Sequence, residues 1–160
     1  MTVQPRQTLR RILVDVQVGK DLMAASDDPV FLGLRGPCGR EFRLAFRKGK
    51  PWRRGERERF ILGGEPDPET NVDRPELNDP AQPAVDLDQL AGVYVRKGLD
   101  PIPNVRGHGE MDDRLQLESV EVELYADGLS EPLRFARRGP FWLGLVCGMS
   151  IEIPPADAGR

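Results

Sequence analysis

Three carboxylates, Asp21, Asp27 and Asp28, fall within one short loop behind Gly19, and a second acidic pair, Asp112 and Asp113, ends a later loop. Calcium takes about six to eight oxygens at roughly 2.3–2.6 Å from carboxylates, backbone carbonyls and water. Gly19, Asp21, Asp27, Asp28, Asp112 and Asp113 could supply such a shell if the two loops meet. Calcium is the one cofactor these residues suggest. The competing use is local, with Asp27 and Asp28 capping a turn before Pro29 and the second pair solvated.

A different chemistry is offered by Arg43 to Arg59, where eight Lys or Arg face only Glu56 and Glu58. Within it Arg47, Lys48, Lys50, Trp52, Arg53 and Arg54 form a basic segment with one large aromatic, suited to an acidic protein surface or an anionic lipid headgroup. Its internal alternative is neutralisation by the acidic, proline-rich stretch that follows, residues 63–88. A nucleic acid is disfavoured by the net charge of −3 and the lack of a stacking motif.

Catalytic sets are hard to assemble. His108 is the sole histidine and lies between two glycines, and no serine or cysteine sits on a G-x-S-x-G frame. Carboxylates are too plentiful for any pair to stand out. The expectation is a protein that is not an enzyme. Cys38 and Cys147 lack the spacing of a zinc site and read as free thiols.

The elements that must position these residues read as strands. Ile12, Val14, Val16 and Val18 alternate with Leu13, Asp15 and Gln17, and Val30, Leu32 and Leu34 with Phe31, Gly33 and Arg35, and this two-residue period marks half-buried β-structure. Gly36 to Gly39 turns the second strand into a third, with Phe42, Leu44 and Phe46 on one face. Phe60–Leu62 forms a short fourth strand. The stretch 63–88, with five prolines and eight acidic residues, reads as a surface insertion that buries too little apolar area to join the core. Further strands follow at Leu90–Val95, at Leu115–Leu124 with a change of phase near Ser119 that predicts a bulge, at Leu133–Phe135 and at Met149–Ile153. Phe141-Trp142-Leu143 is an apolar cluster, either core or exposed anchor.

Fifteen prolines and seventeen glycines in 160 residues imply many turns. Eight short strands with irregular links predict an all-β, eight-stranded antiparallel β-sandwich spanning 11–154, with an arm at 1–10 and a tail at 155–160. No apolar run reaches membrane-spanning length and no signal peptide is recognised, so the expected location is cytoplasmic.

The order of these pieces resembles the PLAT/LH2 (lipoxygenase homology) family. The resemblance is carried by Gly19-Lys20-Asp21, by Ala24-Ala25-Ser26-Asp27 leading into Val30–Gly36, by Arg54–Phe60, by Asp113–Val122, and by Arg134-Phe135 with Phe141–Leu143. The aromatic usual at the start of the family's sixth strand is Leu115 here. A C2-like topology is the alternative. The resemblance implies a binding module that engages a protein partner or a peripheral membrane surface, with its acidic loops at one end and calcium dependence to match. An accessory subunit of a larger bacterial-type assembly, without metal, is the competing expectation, and a small hydrolase ranks last.

Overall fold

The computed structural model describes residues 6–37, 39–46, 49–64, 72–98 and 114–156. Eight strands form in chain order: β1 (Leu9–Val18), β2 (Val30–Arg35), β3 (Arg40–Arg43), β4 (Arg57–Leu62), β5 (Gly92–Lys97), β6 (Leu115–Ala126), β7 (Leu133–Leu143) and β8 (Ser150–Ile153). They build two four-stranded antiparallel sheets, ordered β4-β1-β6-β7 and β3-β2-β5-β8. The expected β-sandwich is the fold of the chain.

Alternation places the core between the sheets. Ile12, Val14, Val16 and Val18 of β1 face Val30, Leu32 and Leu34 of β2 and Val93 and Val95 of β5 across the interior, and all are buried. In β6 the period breaks where it was expected. Leu117 and Ser119 pair with β1 and β7 across a register shift, which lets Leu115 and Leu117 point inward on one side of the bulge and Val120, Val122 and Leu124 on the other. The Phe-Trp-Leu run ends a continuous β7 rather than forming a separate cluster: Leu143 is buried, and Phe141 and Trp142 are half-buried.

Two expectations are corrected. The N-terminal arm is shorter, because Leu9 is already fully buried in β1 and its N–H bonds to the Val85 carbonyl at 2.9 Å. The insertion also joins the core. Val72, Val85 and Leu87 are buried, two 3-10 turns (Pro75–Leu77 and Leu87–Gln89) fold the segment back, and the buried Asn78 accepts from the Arg43 N–H at 2.8 Å. Three scattered apolar residues anchor what its polar composition concealed. Arg40 completes the attachment by donating to the carbonyls of Asp79 and Pro83. Its own charge is desolvated there, which lowers its pKa.

The register fixes the two ends of the sandwich. Val18 closes β1 opposite Leu117, β4 starts at Arg57 opposite Gln17, Leu115 pairs with Leu143, and Val30 pairs with Lys97. The segments 19–29, 44–56 and 144–149 and the start of β6 therefore share one end.

Candidate functional site

This shared end holds most of the residues singled out in the sequence. Gly19 leaves β1 by donating its N–H to the Gln116 carbonyl at 2.8 Å and accepting from the Gly55 N–H at 2.9 Å. The Gln116 side chain, buried, turns back to accept the Asp21 N–H at 3.2 Å. Asp21 then closes an Asx turn, its carboxylate accepting the Met23 N–H at 2.9 Å while its carbonyl accepts from Ala24. Ala24 is buried and returns the chain to β6 by accepting the Gln116 N–H. The turn thrusts Leu22 and Met23 into solvent, 83% and 66% exposed.

Beyond the turn, Ser26 exchanges backbone hydrogen bonds with Trp52 at 3.0 and 2.9 Å, stitching the segment to the basic one. Asp28 is 3% exposed, and its carboxylate pairs with the ammonium of Lys97, which is fully buried. The Ser26 hydroxyl accepts the Asp28 N–H at 3.1 Å. Asp27 is exposed, and Asp112 and Asp113 lie outside the described residues.

These placements bear on the first half of the expected calcium shell. Asp28 already faces a cation of the protein's own, the Asp21 carboxylate and the Gly19 carbonyl are engaged by backbone N–H groups, and no three Asp, Glu, His or Cys side chains among the described residues come together around a common point. Among the described residues, Gly19, Asp21, Asp27 and Asp28 do not by themselves gather a calcium shell, and the other half of the expected shell, Asp112 and Asp113, lies outside the described residues.

The basic segment divides by burial. Trp52, expected at the surface, is 4% exposed and packs edge-on against Phe46 at 4.9 Å and tilted against Phe60 at 5.6 Å. It belongs to the core because the stitch to Ser26 turns its side chain between the sheets. Lys50 pairs with Glu56 and Glu58 of its own segment, and hydrogen bonding to Glu58 raises its pKa. Arg59 forks onto Asp15, with both bonds at 3.0 Å. Arg53 and Arg54 are exposed at the loop end, and neither forms an ion pair with a described residue. Arg47 and Lys48 lie outside the described residues, as does His108.

Sequence reasoning missed the exposed apolar dipeptides Leu22-Met23 and Leu145-Val146 and the basic residues Lys20 and Arg114. Leu145 and Val146, 47% and 90% exposed, cap the turn closed by two hydrogen bonds between Gly144 and Gly148, each 2.9 Å. They rise from the end of β7, two strands from the β1 end that carries Leu22 and Met23, so the bases of the two loops are roughly 10 Å apart. Lys20 and Arg114 are exposed beside them, Arg114 lying over the Trp142 ring at 4.9 Å. The available signal was an apolar dipeptide in each of two otherwise small or polar loops.

No family model matches the chain, and no curated protein matches it by sequence. Solved structures do. The alpha-toxin of Clostridium absonum superposes with a TM-score of 0.56 at 14% identity, covering 94% of this chain and 32% of the toxin. Alpha-toxin from an avian strain of Clostridium perfringens gives 0.58 at 12%, covering 95% of this chain and 33% of the toxin. A lipoxygenase variant in complex with arachidonate gives 0.53 at 11%, covering 92% of this chain and 17% of the enzyme. The chain thus spans about a third of the toxins and a sixth of the lipoxygenase, and what it shares with them is the PLAT/C2-like β-sandwich fold.

Proposed function

We propose that the protein is a non-catalytic binding module that docks on anionic membrane surfaces through the end bearing Leu22, Met23, Leu145 and Val146. The observation that carries this reading is the coincidence of two exposed apolar dipeptides, on loops whose bases are two strands apart, at one end of the sandwich where Lys20, Arg53, Arg54 and Arg114 are also exposed. Likeness to the toxin and lipoxygenase sandwiches supports the fold on which this end is built.

Magnitudes indicate which interaction dominates. Inserting four side chains of this size contributes about 1.5 kcal/mol each. Each basic residue near an anionic leaflet adds about 1 kcal/mol, part of which Asp21 and Asp27 offset. Apolar insertion is the larger contribution, so salt weakens docking without abolishing it. Both loops are fixed by backbone hydrogen bonds before docking, which spares most of the ordering cost.

Cosedimentation with phosphatidylserine-containing vesicles tests the reading. Wild type is expected to pellet with vesicles, and Leu22→Asp with Val146→Asp is expected to remain in the supernatant with an unchanged thermal midpoint. Equal pelleting of the two proteins would remove these loops from the interface, and a wild type that stays soluble while binding a protein partner would replace the membrane by that partner.

A further inference from the structure

The calcium expectation and the observed loop disagree at one atom pair, and the disagreement is informative. Lys97 is fully buried at the last position of β5, where Val93, Val95 and Lys97 share the inward phase. Its backbone lies opposite Val30, so Asp28, two residues earlier, meets it from the segment leading into β2. The ammonium also approaches the Gly98 carbonyl at 3.4 Å, while the backbone N–H groups of Lys97 and Gly98 bond to Met149 and Pro29. One lysine therefore ties together the segment carrying Leu22 and Met23, the start of β2 and the stretch just after Val146.

We propose that the Lys97 ammonium is the resident cation of this end of the sandwich, so that the docking loops are ordered and bind membrane without calcium. A buried carboxylate needs a compensating positive charge, which a divalent ion or a fixed ammonium can supply. A covalently tethered ammonium is present at any calcium concentration, and the docking surface is then constitutive rather than switched. This inference rests on the membrane reading for its consequence, but the ion pair can be tested apart from it.

The test uses the full chain. The thermal midpoint of wild type is expected to be the same in EDTA and in millimolar calcium, since only a ligand that binds the folded state raises it. Lys97→Met and Asp28→Asn are each expected to lower the midpoint by roughly 10 °C, because either leaves a buried group without its partner, while the double variant loses much less than the sum. Vesicle binding of wild type is expected to be equal in EDTA and in calcium. A rise of several degrees with calcium, additive loss in the double variant, or vesicle binding only in calcium would each overturn the tethered cation. Absence of vesicle binding under both conditions would instead overturn the membrane reading, leaving the ion pair to be judged by the midpoints.

Discussion

Gly19 and Gln116 fit so closely that a β-carbon on the glycine would lie 2.0 Å from the glutamine Oε1. That oxygen accepts the Asp21 N–H and so starts the turn presenting Leu22 and Met23. Glycine is needed here for close approach.

Gly19→Ala is therefore expected to expel the Gln116 side chain and leave the Asp21 N–H without its acceptor, at a cost of about 1–3 kcal/mol. A midpoint lowered by about 3–10 °C, with weaker vesicle binding, is the expected result. Differential scanning calorimetry and cosedimentation measure the two effects.

Trp52 gives a prediction opposite to the one its basic neighbours suggest. With Phe46 and Phe60 it fills the core beneath the loop end. Trp52→Ala is expected to destabilise by about 3–5 kcal/mol, as large aromatic deletions do. Arg53→Glu with Arg54→Glu, on the exposed part of the same segment, is expected to leave the unfolding free energy measured in urea within about 0.5 kcal/mol of wild type and to weaken vesicle binding in a salt-dependent way.

On the outer face of the second sheet, Glu41 takes a forked pair of bonds from Arg96, at 2.7 and 3.0 Å, and one from the Tyr94 hydroxyl at 3.1 Å. Hydrogen bonding to Arg96 outweighs desolvation and holds the Glu41 carboxyl below its ordinary value of 4.5. A depressed folded-state value means that this contribution is fully present above the ordinary carboxylate value and is lost as pH falls through the depressed one. Wild type and Glu41→Gln are expected to differ most in thermal midpoint near neutral pH and to converge in acid. A difference that grows in acid would reverse the sign.

Strand positions and the bulge near Ser119 were legible because they follow from a two-residue period that polar neighbours do not disturb. Lys97 was legible in principle by the same rule, being in phase with Val93 and Val95, yet a lysine there reads as the first residue of a loop until its partner Asp28 is known. Asp28 was recognised as an oxygen donor, but its cation comes from a residue 69 positions away, which local spacing cannot reveal. The insertion was misjudged for a related reason. Val72, Val85 and Leu87 are few, and their burial depends on β1 and β3 being beside them.

Cys147 offers a direct probe of the docking end, since it is exposed and adjoins Val146. With Cys38 replaced by serine, an environment-sensitive fluorophore on Cys147 is expected to shift to the blue on addition of phosphatidylserine vesicles and to be quenched by brominated acyl chains, in EDTA as in calcium. The same fluorophore on Ser130→Cys, in the connection between β6 and β7 at the opposite end and with Cys38 and Cys147 both replaced by serine, is expected to do neither. A silent label at Cys147, or a response at position 130 instead, would contradict membrane docking through the Leu22, Met23, Leu145 and Val146 end.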